Sequence, residues 1–277
     1  MSAAPLPMGP VGVLGLGCVG RFLALSLAER GVEVHGWDVI DGPAAADVRA
    51  AGVPVALGAL PAGLAAWPLL LLPVADRAIA GVARDLGRHP LVPGAVVLHT
   101  SGFHPADVLR PHLPPHVAVG SLHPVHAFAD AGVPDPRGIP AGLEGEARAV
   151  ATARRLADLL GLSPFAIAPG QKTLYHAALA LLSNGTVGLF ASAQALLAHA
   201  GVPEAEAHPL LARLLASTTA NLADLAPSRA LTGPVRRGDA DVVQAHLAAV
   251  AREVPTEQAL VRAVVGRLER LVAEECP

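Results

Sequence analysis

Of the 20 basic residues in this 277-residue chain, all but one are arginine. The exception is Lys172. In a chain so rich in Ala, Gly, Pro and Arg, a surviving lysine points to a place where arginine does not serve. Such a place needs a compact ammonium, or an amine that can give up its proton. Lys172 lies in Gln171-Lys172-Thr173-Leu174-Tyr175-His176, which runs on into a long Ala- and Leu-rich segment with helical periodicity. At about 100° per residue, Lys172, His176 and Ser183 fall within roughly 40° of one another. A narrow polar stripe on an apolar helix is either a solvated edge or one wall of a polar cavity. Its position directly after a junction in the chain favours the cavity. Lys172 and His176 are therefore candidate catalytic groups, and Ser183 with the adjoining Asn184 candidate substrate contacts.

Two more segments carry groups able to move protons. His99-Thr100-Ser101-Gly102 and Gly120-Ser121-Leu122-His123-Pro124 each read as a loop leaving a short apolar strand. In an open parallel sheet the carboxyl ends of the strands form the ligand crevice, which places Ser101 and His123 beside it. A neutral imidazole there can exchange a proton with a substrate oxygen. A third loop, Leu231 to Asp239, has Asp239 to cap the next helix. Thr232, Arg236 and Arg237 are not needed for the turn, and one arginine, Arg237, could grip a carboxylate in bidentate fashion. His123/His126 and His112/His116 have spacings that a metal could use. Neither pair has a carboxylate or thiolate arranged to complete a site, so no metal is expected.

Near the chain start, Gly15-Leu16-Gly17-Cys18-Val19-Gly20 sits between a strand pattern (Val11–Leu14) and a helix pattern (Val19–Arg30). Gly15 allows a tight turn, Gly17 lets a pyrophosphate approach the backbone, and Gly20 lets helix and strand pack closely. The helix N-terminus offers N–H groups and partial positive charge to phosphate oxygens. Asp38 closes the second strand, where a carboxylate can accept hydrogen bonds from ribose hydroxyls and would repel a 2′-phosphate. That combination implies NAD or NADP as cofactor, with NAD favoured. Leu16, Cys18, Val19, Val74 and Thr100 complete the expected cofactor-binding set.

The elements that must position these groups follow from periodicity. Residues 10–100 alternate short apolar runs with amphipathic stretches, the pattern of a parallel sheet with crossover helices. Strands are expected at Val32–Trp37, near Val53–Leu57, at Leu69–Val74, Ala95–Leu98 and Val117–Val119, and finally at Pro164–Ala168. Asp76 is expected to cap a helix reaching Leu86, and another helix covers residues 146–160. Beyond Pro169-Gly170 only helical periodicity remains, with breaks at Gly201, Ala226-Pro227, Leu231–Gly238 and Val254-Pro255. The fold class is therefore α/β: an N-terminal Rossmann domain with a doubly wound parallel sheet (1–169), followed by an all-α domain of four or five helices (170–277).

Composition narrows the partners. A formal net charge of −3 argues against nucleic acid. No uninterrupted apolar run reaches the roughly 20 residues that cross a bilayer, so no membrane partner is expected. MSAAPLPMGP shows no secretory signal, and Cys18 and Cys276 are the only cysteines, which leaves a cytoplasmic location as the default.

On the glycine loop, HTSG (99–102), GSLHPVHAF (120–128), LEG (143–145), KTLYHAALALLSN (172–184) and LTGPVRRGD (231–239), the chain resembles Rossmann-like oxidoreductases with a C-terminal helical domain of unknown function. The resemblance implies a helical domain that helps form a homodimer. Lys172 is similar to the catalytic lysine of β-hydroxyacid dehydrogenases, although His176 stands where those enzymes have asparagine. Ser101 and His123-Pro124 resemble the serine and His-Pro of prephenate dehydrogenases. The expected function is hydride transfer between a nicotinamide cofactor and a small hydroxy or keto acid. The alternatives are an imine reductase similar to pyrroline-5-carboxylate reductases, and a non-catalytic nucleotide sensor.

Overall fold

The computed structural model describes residues 9–128 and 132–274. The first eight residues and Cys276, read above for a leader and for disulfides, lie outside the described residues. The chain divides into two compact units, residues 1–179 and 180–277. The division falls inside a helix, beyond the junction expected at residue 169.

The first unit holds eight strands: β1 (Val11–Leu14), β2 (Val34–Asp38), β3 (Val55–Leu57), β4 (Leu69–Leu72), β5 (Val96–His99), β6 (Ala118–Pro124), β7 (Pro140–Gly145) and β8 (Ser163–Ala166). They form one sheet in the order β3-β2-β1-β4-β5-β6-β7-β8. The four leucines of β4 show why the sheet is buried on both faces. Leu69 and Leu71 join a core with Phe22, Leu23 and Leu27 of α1 (Cys18–Ala28), Val48 of α2 (Pro43–Ala50) and Leu156 of α4 (Ala147–Leu160). Leu70 and Leu72 join a second core with Ile79, Ala83 and Leu86 of α3 (Ile79–Leu86). Alternate side chains of one strand enter opposite layers, so a continuous apolar run is what a doubly covered parallel strand requires. Gly161, with φ 77°, terminates α4 in the left-handed conformation that favours glycine.

Three expectations need correction here. Gly120 to Pro124 is part of strand β6, not a loop. Its Gly, Ser and Pro read as loop residues, but β5 on one side and β7 on the other supply its ladder. The sheet is also not wholly parallel, because β7 runs antiparallel to β6. Finally, Asp76 and Asp239 cap nothing through their side chains. Asp76 opens a 3₁₀ turn ahead of α3, and the N-cap of α9 (Ala240–Glu253) is Asp239 without a side-chain capping bond.

Helix α5 (Lys172–His199) runs from the first unit into the second. The second unit continues with α6 (Glu204–Asp224), the single-turn helices α7 (Pro227–Ala230) and α8 (Pro234–Arg237), α9, and α10 (Gln258–Ala273). Lys172 is the one residue of α5 that is buried. At 28 residues, α5 is long and apolar enough to cross a bilayer by length and composition, contrary to the expectation from uninterrupted runs. No Asp, Glu, Lys or Arg occurs between Lys172 and Glu204, and the intervening Ser, Asn, Thr and Gln residues are uncharged.

Candidate functional site

The turn after β1 is shaped by what its glycines exclude. Gly15 has φ 109°, and a Cβ there would stand 2.6 Å from Val74 Cγ1 and 3.0 Å from the Pro73 carbonyl. A Cβ on Gly20 would fall 1.9 Å from the Gly15 carbonyl, so α1 can approach β1 only with glycine at that position. Gly17 differs, with nothing within 4 Å of its Cβ position. It is the N-cap of α1 and makes no side-chain cap, and the N–H groups of a first helical turn lack intrahelical acceptors. Open space before a helix N-terminus fits a pyrophosphate. The Asp38 carboxylate accepts from Leu16 N–H at 2.7 Å and from Val39 N–H at 2.7 Å. It therefore ties the glycine turn to the end of β2 and keeps further lone pairs for ribose hydroxyls. Beside it lies a cavity of about 560 Å³ lined by Trp37, Val39, Gly58, Leu60 and Val82 among others.

A second cluster lies along the same sheet edge. β1, β4, β5 and β6 are mutually parallel, so their carboxyl ends share one side. At those ends Lys172 Nζ donates to the Ser101 carbonyl at 2.6 Å and to Ser121 Oγ at 3.1 Å. Lys172 is 2% exposed, and burial lowers its pKa from 10.5 to about 8, against the pull of the Glu144 and Asp76 carboxylates. The Ser101 hydroxyl is occupied locally, accepting from Phe103 N–H at 3.0 Å and His104 N–H at 2.9 Å. Ser101 thus reaches Lys172 through its backbone. His99 Nδ1 accepts from Ser101 N–H at 3.1 Å, which leaves the ring proton on Nε2 to donate to the Pro105 carbonyl. Burial first, then the Lys172 charge, lowers the His99 pKa to about 3.

His123 Nδ1 lies 2.7 Å from the Tyr175 hydroxyl. Burial first, then the Lys172 and His176 charges, lowers the His123 pKa to about 4. Burial raises that of Tyr175 to about 12. His176 approaches Gly102 from the same side as His123, with its Cδ2 2.8 Å from the Cβ position of that glycine, and it meets Phe103 edge-on with centroids 6.1 Å apart. Lys172, His176, Ser101 and His123 are therefore brought together inside the first unit, and Thr100 lies in the same β5 loop.

Residues 5–124 match the Rossmann-like domain, and residues 139–265 match a domain of unknown function, DUF2520. The chain joins these two domains. Its fold is similar to that of a protein from Thermotoga maritima, at 23% identity and a TM-score of 0.77, over 96% of this chain and 100% of that one. A candidate NADP oxidoreductase from Bacteroides fragilis is similar at 21% identity and a TM-score of 0.75, over 95% and 98%. A reductive aminase from Aspergillus terreus, in complex with NADPH and ethyl-5-oxohexanoate, is similar at 21% identity and a TM-score of 0.62, over 96% and 94%. At these identities the likeness is one of fold. The curated proteins gave no match.

The expected substrate contacts lie in the second unit. Ser183, Asn184 and Thr232 are exposed. Arg237 already grips a carboxylate, that of Asp239, through Nε at 2.9 Å and Nη2 at 2.8 Å. Among the described residues no group of three or more His, Cys, Asp or Glu could hold a metal ion. Ser121, Tyr175 and Glu144 had no role expected from the sequence, and Asp76 only that of a helix cap. Two signals were available: Ser121 is two residues from His123 and so shares its strand face, and Tyr175 is the one tyrosine of the chain. Glu144 accepts from Ala106 N–H at 2.8 Å and stands opposite Ser121 across β6 and β7.

Proposed function

We propose that this protein is an NAD(P)-dependent oxidoreductase acting on a small hydroxy or keto acid. The single observation that carries the reading is the shared edge. A glycine turn fit for a pyrophosphate and a buried lysine with lowered pKa stand at the carboxyl ends of strands in one parallel sheet. The bound nicotinamide would supply or accept the hydride. Lys172 would give a proton to the reacting oxygen, or take one from it, and a pKa of about 8 suits an amine that does both near neutrality. The Ser101 carbonyl and Ser121 hydroxyl hold its ammonium in place. Asp38 favours NAD, since a carboxylate repels a 2′-phosphate. The fold likeness to a reductive aminase keeps reduction of an imine as a second reading.

A homodimer formed through the helical domain belongs to the same proposal. Leu181 (77% exposed), Leu182 (71%), Val187 (70%) and Leu214 (60%) are large apolar side chains open to solvent on α5 and α6. Apolar patches of this kind mark association surfaces. Light scattering should give twice the chain mass.

The test is NADH and NADPH oxidation against a panel of keto acids and cyclic imines, with cofactor binding measured in parallel by nicotinamide fluorescence. Turnover of a keto acid supports the reading, and turnover of imines alone replaces it with the second. Cofactor binding without turnover of any panel member would leave a nucleotide sensor. Absence of cofactor binding would remove all three.

A further inference from the structure

The imidazole of His123 is held between two glycines. The residue in register with His123 across β6 and β7 is Gly142, where a Cβ would stand 2.9 Å from the Tyr175 hydroxyl. On the opposite side, a Cβ on Gly102 would stand 2.9 Å from both Nε2 and Cε1 of His123, and 2.8 Å from Cδ2 of His176. The bare backbone at Gly142 leaves room for the phenol to reach Nδ1, and the one at Gly102 leaves room for the other edge of the ring. The Tyr175 ring is itself fixed, lying edge-on to His123 with centroids 5.7 Å apart and 6.0 Å from Phe165. All these residues belong to the first unit.

The direction of the hydrogen bond follows from the chemistry of its partners. A phenol is a better donor than acceptor, and an unprotonated imidazole nitrogen is a strong acceptor, so the hydroxyl donates to Nδ1. The ring proton then sits on Nε2, which has no hydrogen-bond partner among the described residues. We propose that Tyr175 is a positioning residue that locks His123 in the neutral Nε2–H tautomer, making His123 a hydrogen-bond donor to a carbonyl oxygen and not a carrier of protons. A neutral imidazole can polarise a carbonyl in this way while another group moves the proton. The charged and titratable groups facing the ring agree with neutrality. Lys172 and His176 on α5 both oppose an imidazolium, and only Asp76 beyond β4 favours one. The substrate class this implies is a ketone or keto acid whose oxygen meets Nε2–H while Lys172 handles the proton. Only that last step rests on the oxidoreductase reading; the tautomer does not.

The experiment is long-range ¹H–¹⁵N spectroscopy of histidine-labelled protein, with His123 assigned from a His123→Gln variant. The full-length wild type should show one His123 tautomer, protonated at Nε2 and bare at Nδ1, unchanged from pH 5 to 8. Tyr175→Phe keeps the ring and removes the donor. It should give a mixture of tautomers and, with an active keto substrate, a roughly tenfold loss in kcat at unchanged cofactor affinity. Gly142→Ala leaves Tyr175 unsubstituted but adds a Cβ that presses on its hydroxyl and on Ile167 Cδ1, and it should reproduce the mixture. A proton on Nδ1 in the wild type, or an unchanged single tautomer in both variants, would overturn the assignment. A locked tautomer in a protein that reduces no carbonyl would uphold the lock and defeat the oxidoreductase reading alone.

Discussion

Replacing Lys172 by methionine removes a buried charge and keeps the length of the side chain, so the energetics can be followed group by group. The fall in pKa from 10.5 to about 8 means that folding with this ammonium in place costs about 3 kcal/mol at neutral pH. The sign matters: a base whose pKa is lower in the folded state opposes folding while it is protonated. The penalty is fully present below about pH 8 and fades as pH rises toward the unfolded value of 10.5. Between pH 7 and pH 10 about 2.5 kcal/mol of it is relieved. Methionine carries no such penalty, but it strands two buried acceptors, the Ser101 carbonyl and Ser121 Oγ, at about 1–3 kcal/mol each. At pH 7 the two proteins should therefore be close in stability. Urea unfolding at pH 7 and pH 10 should show the wild type gaining about 2.5 kcal/mol on Lys172→Met over that interval. Groups common to both proteins cancel in the difference. Parallel pH dependence of the two would mean that Lys172 is solvated in the folded state, which refutes its placement in the site. In turnover the same variant should lose roughly a hundredfold at unchanged cofactor affinity.

The glycine turn supplies a paired prediction. Gly20→Ala should destabilise the fold by more than about 3 kcal/mol through overpacking against the Gly15 carbonyl. Gly17→Ala should leave the melting temperature within a few degrees yet weaken NADH binding, read by fluorescence titration. Asp38→Asn should cost about 1 kcal/mol through the weakened bond to Leu16 N–H and narrow the preference for NADH over NADPH in direct binding. Arg237→Ala breaks an exposed ion pair, so chemical denaturation should change by under about 1 kcal/mol. A larger loss would mean that the pair with Asp239 holds its loop together.

Why the sequence yields one half of this site and conceals the other comes down to how each half is positioned. The spacing of the glycine turn is local, with Gly15, Gly17 and Gly20 inside six residues, although the atoms that make Gly15 and Gly20 obligatory include Pro73 and Val74 after β4. The pairing of Lys172 with Ser101 needs only the strand order, because the loops that leave parallel strands gather at one edge and a helix entering there must meet them. Pattern reading supplies the parallel strands as far as β6, and the finished sheet supplies their order. The Tyr175–His123 pair depends on more. It needs β7, whose Pro-Ala-Gly-Leu-Glu-Gly has neither alternation nor β-branched residues, to lie antiparallel against a segment that itself reads as a loop. Only with that register does Gly142 fall opposite His123 and leave space for a hydroxyl three residues along the helix from the lysine. Tyr175 looks like an ordinary neighbour of Lys172 until the strand beside His123 is known. Its role therefore depends on a strand, flanked by β6 and β8, that weak propensities allow and the finished sheet alone enforces.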